Sequence, residues 1–525
     1  MILAIGSHLA HADPRLTQWM TAGSSRYARI TETTTTTPVA VWPSSGIPKN
    51  AQSPSQTIPA YADVQQILYS ANFVYVRSAD LASHQMGPWY KEYSKTTVNG
   101  LWPARRSLTS KIPRFPTPVA LPNQVADQVR QGPVGVLVNG VTIANLGDGQ
   151  GYDTALGRDA GVNSGGIPGN TSDVWIRNAT GAEGPILDSG FGHPAPDGGY
   201  HYHANPRALR HQLGDNLTYV ATVNPLTGVR SETYTENTTQ LHHSPILGWA
   251  YDGYPIYGPY GYSQALNATT PVRRMVSGHV LRDGSYGTTN LTITGRHSLA
   301  PWAALFHTFT TTLATVDFQL TPGPSGNYGP DVSTAFPLGW YAEDFDYLGD
   351  RIKIPSSAQY YQQGVDFDLD KSNGRTCVTP EFPSGTYAYF IPVNESGVPA
   401  FPYSIGRYWH GNVTGGRVLN GNINETVSTL FTGGPATKET AQAPTVDATG
   451  NVTIIWSSVE GSSYKVEASN DLSSIWTTVR ATTPAASFAV RTSITDPGAA
   501  LNWSRRFYRI SRIALAPYDP AYTGQ

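Results

Sequence analysis

A single cysteine, Cys377, in a chain of 525 residues excludes an intramolecular disulfide framework and leaves too few thiolates for a thiolate-rich zinc site. Between Thr376 and Val378 it reads as a packing residue rather than a nucleophile. No apolar run reaches the roughly 18 residues that a membrane-spanning helix needs. Charge is scarce as well. Charged residues are 14% of the chain and the formal net charge is −2, so no field gathers nucleic acid or an anionic membrane surface. A G-x-S-x-G elbow is absent and Cys377 has no evident histidine partner, which leaves a hydrolase without an activated nucleophile unless a metal supplies one.

Glycine (52), proline (40) and tyrosine (30) are abundant, a composition that favours strands and turns over helices. The expected fold is mainly β: a large β-rich domain followed by a small β-sandwich domain. Residues 1–19 contain MILAIGSHLAHA, a short apolar run ending in a small-x-small pattern, and read as a signal segment lacking its basic start. Residues 20–411 form the large domain and 412–442 a Gly/Asn/Thr-rich linker. Residues 443–515 carry short alternating strands that resemble a fibronectin-type-III sandwich, and 516–525 form a tail. Within the large domain, Asn139-Gly140 and Asp252-Gly253 are hairpin turn signals flanked by strand-like segments. Residues 26–54, rich in Thr, Ser and Pro, read as an exposed strand and loop, and the Gly/Asp-rich stretch 147–169 as a long surface loop.

Chemistry concentrates around Gly199-Tyr200-His201-Tyr202-His203. On a strand, alternate side chains share a face, so His201 and His203 stand side by side while Tyr200 and Tyr202 turn toward the core. Neighbouring imidazoles two residues apart can lean onto one ion at ~2.0–2.1 Å. His193 lies just upstream, and His242-His243 downstream point in opposite directions if extended, so at most one of that pair joins the site. Asp188 and Glu183 are expected to orient the imidazoles as acceptors, with turn positions as the competing role. Asp252 has the same two roles open to it. His84, beside Met86, is a reserve ligand, while His211 and His279 are expected bystanders. Asp366, Asp368 and Asp370 would share one face of an extended segment and, with Asn373, offer an oxygen-rich calcium site.

Gly192-His193-Pro194, Gly199 to His203 with Asn205-Pro206, and Asp252-Gly253-Tyr254-Pro255-Ile256-Tyr257-Gly258 together resemble the YHYH-domain family, named after its tetrapeptide. Asn178, Glu183 and the stretch from Asp368 to Phe390 extend the likeness over roughly residues 20 to 410. The resemblance implies an extracellular, periplasmic or cell-envelope protein and assigns no reaction. Eleven N-x-S/T sequons, among them Asn178, Asn216 and Asn267, fit that location. Residues Gly385 to Phe390 look like an echo of Gly199 to His203 with Ala388 and Phe390 in place of the histidines, so one metal centre is expected rather than two.

Three functions remain open to the sequence: a protein binding one copper or zinc ion, a metal-dependent hydrolase, and a metal-independent structural or carbohydrate-binding surface protein contacting a cell surface or polysaccharide. Copper leads zinc here because tyrosines border the imidazoles.

Overall fold

The computed structural model describes residues 13–17, 19–20, 28–32, 39–41 and most of 62–514. Within the last span it omits 98, 100, 102, 105, 120–131, 162–173, 224–229, 323–326, 433–440, 442, 459–462, 473–474 and 486–490. Residues 1–12 of the expected signal segment and the tail 516–525 lie outside the described residues, as does much of 26–54, whereas Trp19 of that segment packs in the main core. The fold is mainly β, as composition indicates. Among the described residues no helix is long and apolar enough to cross a membrane.

Eight strands form the central sheet: β1 (Pro133–Leu137), β2 (Thr142–Ala144), β3 (Gly192–Pro194), β4 (Tyr200–Tyr202), β5 (Ile246–Ala250), β6 (Pro255–Tyr257), β7 (Gly374–Cys377) and β8 (Thr386–Phe390). Their order is β3-β4-β2-β1-β5-β6-β8-β7. Both expected hairpins form, β1-β2 across Asn139-Gly140 and β5-β6 across Asp252-Gly253. Each turn glycine has positive φ (78° and 93°), a conformation that side chains with a Cβ disfavour.

The sheet consists of two copies of one unit. In the first, β4 runs parallel to β2, with Tyr202 opposite Ile143, and β3 is antiparallel to β4, with Gly192 opposite Tyr202. In the second, β8 runs parallel to β6, with Tyr389 opposite Ile256, and β7 is antiparallel to β8, with Gly374 opposite Tyr389. The copies meet at β1 and β5, an antiparallel pair in which Val136 faces Trp249 while Gly135 faces Ala250 and Leu137 faces Gly248. Counted from the hairpin turns, Gly135 corresponds to Gly248 and Leu137 to Ala250, so a pseudo-twofold axis passes between Val136 and Trp249. A Cβ at Gly135 would come within 2.5 Å of the Trp249 carbonyl oxygen, and one at Gly248 within 2.6 Å of the Val136 carbonyl oxygen. Both positions demand glycine for the same reason.

Side chains repeat the symmetry. Tyr200 donates to Asp188 at 2.8 Å and Tyr387 to Asp370 at 3.0 Å. Asp188 Oδ1 accepts from the backbone N–H groups of Gly190 and Gly192, and Asp370 Oδ1 from those of Ser372 and Gly374, the same two and four residues onward. Phe191 and Asn373, each just before the strand, have φ of 70° and 68°. These tyrosines, with Trp89, Trp249, Ile143 and Ile256, lie in the main apolar core. A separate core of Trp175, Trp302, Phe306, Tyr341 and Tyr347 draws most of its residues from the long connection between β6 and β7.

A five-stranded sheet, ordered Gly416–Arg417, Leu108–Pro113, Phe73–Ser78, Val64–Tyr69, Ser428–Thr432, corrects the expected linker. Residues 416–417 and 428–432 pair with strands of the large domain, so that domain extends through 432. Backbone pairing outweighs the linker-like composition there. After it, two three-stranded sheets share a small core of Val452, Ile454, Trp456, Tyr464 and Val466. The Gly/Asp-rich stretch is also more ordered than a surface loop: Gly147–Asp153 and Arg158–Gly161 pair as antiparallel strands, while 162–169 fall outside the described residues.

Candidate metal centre

Strand alternation does what the spacing predicts. Tyr200 and Tyr202 are fully buried in the core, and His201 and His203 project from the opposite face. His193, directly across from His201 on β3, joins them because cross-strand partners share a face. One ring nitrogen from each of the three imidazoles lies within 4.8 Å of the others, and this is the one such group of three or more potential ligands among the described residues. His193 and His203 are buried, and His201 is partly accessible.

Hydrogen bonds set the ring orientations. His201 Nδ1 lies 3.0 Å from the Gly199 carbonyl oxygen, and His203 Nδ1 lies 2.6 Å from that of Asn145. A carbonyl only accepts, so each Nδ1 carries the proton, and a neutral ring then presents Nε2 as a lone pair. Those two Nε2 atoms are 3.1 Å apart. Glu183 Oε2 lies 3.2 Å from both His203 Nε2 and His193 Nε2. Although this distance is that of an ion pair, the geometry is not that of a hydrogen bond: Glu183 Oε2 and both ring nitrogens of His193 are buried without a hydrogen-bond partner. Burial is the leading cause that lowers all three imidazoles to a pKa of about 4, so at neutral pH each ring is neutral and carries one ring proton only.

Converging lone pairs and an orphaned carboxylate oxygen in a buried spot are costly unless a cation lies between them. The donor set of imidazoles plus one carboxylate matches what zinc and copper accept, and a 3.1 Å separation suits two nitrogens bound to one ion at ~2.0–2.1 Å each. Glu183 reaches the cluster from the end of helix α1 (Ala179–Glu183), whose N-terminus is capped by Asn178 Oδ1 accepting from Thr180 and Gly181. The expected supporting acceptor thus comes as close to His193 and His203 as a fourth donor would, though not to His201.

Other expected members lie elsewhere. Asp188 is on the tyrosine face, where Oδ2 accepts from Gly87 N and Tyr200 Oη and Oδ1 from Gly190 N and Gly192 N; burial, the largest cause, raises its pKa to about 6. It orders the strand entry and does not touch the imidazoles. Asp252 serves its turn, accepting from Tyr254 N, Gly411 N and Tyr389 Oη. His242 is exposed, its Nε2 3.0 Å from the Gly214 carbonyl oxygen, and His243 is buried against Tyr257, Tyr262 and Phe390. Neither belongs to the cluster, because their segment leads into β5, beyond β2 and β1 from β4. His84 stands behind β4, its Nε2 2.6 Å from Tyr202 Oη. Tyr200 and Tyr202 face away from the imidazoles and therefore give copper no advantage over zinc.

The four oxygen-bearing residues of the expected calcium site are engaged separately, because 361–370 turns rather than extends. Asp366 pairs with Lys353, and Asp368 takes both guanidinium branches of Arg273 at 2.6 and 2.7 Å. Asp370 holds Tyr387, while Asn373 donates to the carbonyl oxygens of Phe390 and Ser404. Asn178 and Asn216 are each 1% exposed, so those two sequons are closed in the folded chain.

In the second sheet unit, Arg375, Ala388 and Phe390 occupy the positions of His193, His201 and His203. The unit that lacks imidazoles keeps its tyrosines and its aspartate.

A family model described as YHYH protein matches residues 109–401, more than half of the chain. No curated protein and no solved structure matches.

Proposed function

Because the chain belongs to the YHYH family, we propose that its first sheet unit binds one transition-metal ion, zinc or copper, through His193, His201 and His203 with Glu183. The observation that carries the reading is the pair of Nε2 lone pairs 3.1 Å apart, each with its Nδ1 proton committed to a carbonyl oxygen. Bound there, the ion would supply Lewis acidity or, if copper, one-electron chemistry. The chain's own part is to hold the rings neutral by burial and to fix their tautomers through Gly199 and Asn145. An extracellular or envelope location belongs to the same proposal and rests on the family resemblance.

Protein purified without a histidine tag should contain about one equivalent of metal by elemental analysis covering zinc, copper, iron and manganese. Calorimetric titration of zinc and copper into metal-free protein separates the site from the bystanders. His193→Ala, His201→Ala and His203→Ala should each lose more than the about 10–100-fold typical of a supporting residue. His242→Ala, on an exposed ring, should bind as the parent does. Equal affinities across all five proteins would remove the metal and leave a structural or carbohydrate-binding surface protein.

A further inference from the structure

The imidazole face has one accessible side, at His201, and the sheet register shows what borders it. His201 is paired with Thr142 across the parallel β4-β2 contact, so the two side chains share a face. Arg417, on the edge strand of the five-stranded sheet, directs Nη2 to Thr142 Oγ1 at 3.4 Å. A second guanidinium, Arg106, rests against the backbone that precedes β4: a Cβ at Gly199 would collide with Arg106 Nη1. Gly199 is also the residue whose carbonyl oxygen orients His201. Two guanidiniums thus flank the one ring that solvent reaches.

Their charges are not equally spent. Arg106 is paired with Asp197 at 2.6 Å. Asp80 lies buried beside Thr142, accepting from its N–H and its hydroxyl. Arg417 is exposed, and among the described residues no carboxylate forms an ion pair with it; it makes a long hydrogen bond to Thr142 and one to Tyr251, and its charge also bears on Asp80 and Asp197, which leaves the rest of its five N–H groups for solvent or a ligand. A guanidinium left with free N–H groups presents a planar fork that matches the oxygens of a carboxylate or phosphate.

We propose that the centre takes a small oxyanion, a carboxylate or a phosphate, as its exogenous ligand, received at the His201 edge by Arg417 with Arg106 behind it. The proposal rests on the metal reading and extends it from what holds the ion to what the ion meets. Arg417 would orient the anion by its fork, and Thr142 would hold the guanidinium in place.

Cobalt(II) serves as a spectroscopic stand-in for the ion in the full-length chain. Acetate, inorganic phosphate and chloride are titrated into the cobalt-loaded parent and followed by the visible absorption of the metal. Acetate or phosphate should perturb the spectrum saturably, chloride much more weakly, and the two oxyanion arms show which geometry is preferred. Arg417→Gln should weaken the preferred oxyanion about tenfold while cobalt affinity stays at the parent value. Arg417→Lys, which keeps the charge and loses the fork, should fall between them. Cobalt bound normally with identical anion affinities in parent and Arg417→Gln overturns this proposal and leaves the metal reading standing. A parent that binds no cobalt overturns both.

Discussion

Glu183 contributes a carboxylate oxygen to a place where three neutral imidazoles already crowd together, and its charge is what distinguishes a ligand from a spacer. Glu183→Gln preserves the shape and removes the charge. If the carboxylate meets the ion directly, zinc affinity should drop by at least about 100-fold, beyond the usual effect of a supporting residue, with thermal stability of the metal-free protein unchanged or raised. Competition with a chromophoric chelator measures the first and thermal melting the second. His279 illustrates the opposite case, an imidazole with no ion to serve. It is buried among Trp302, Tyr347 and Phe401, and burial lowers its pKa to about 3. The unfolded chain, with a histidine pKa of ~6.5, binds the proton more tightly, so this residue's contribution to stability is lost as pH falls below ~6.5 toward 3. The loss is on the order of 2 kcal/mol at pH 5. His279→Phe should therefore narrow the gap between urea midpoints at pH 7 and pH 5; an unchanged gap would show that the ring is not buried neutral. For the same reason His279 is no neutral control for metal binding, whereas His242 is.

At the scale of the element, strand β4 divides its labour between its faces. Tyr200→Ala should destabilise the fold by about 3–5 kcal/mol, since the ring is fully buried beside Trp89 and Tyr202. Tyr200→Phe should cost only about 1–3 kcal/mol, because Asp188 keeps its three backbone donors after losing the phenol. Equilibrium urea unfolding reads both, and equal costs would contradict a packed ring. Alternation made this strand legible in the sequence, and the two turn dipeptides made both hairpins legible. The echo at Gly385 to Phe390 was visible too, but its exact partner was not: matching Arg375 to His193 requires the antiparallel register of β7, set by contacts between distant segments. His242 and His243 looked eligible because spacing along the chain says nothing about sheet order. The aspartates from 366 to 370 do not cluster for a related reason: alternation brings side chains together only on an extended segment, and this stretch turns. Arg417 carried no local signal at all, since only the approach of a second sheet brings it beside Thr142.

For the whole molecule, the strand Ser428–Thr432 makes the limits of the large domain testable. A chain ending at 440 should unfold cooperatively and bind metal as the parent does, whereas one ending at 411 loses the partner strand of Val64–Tyr69 and the neighbour of Leu108–Pro113. The shorter product should show a lower and broader thermal transition; identical melting of the two would place the boundary back at 411. The paired units of the central sheet carry a further implication. One half of the molecule runs, in effect, a natural deletion experiment on the other: with Arg375, Ala388 and Phe390 in the ligand positions, it retains the same strands, the same phenol-to-aspartate clasp and the same glycine at the axis. On the proposed reading architecture and metal are therefore separable, and metal-free protein should stay folded, with a melting temperature that rises with added zinc only by mass action. On that same reading, a scaffold that stands without an ion could release one, exchange it or hand it on without coming apart.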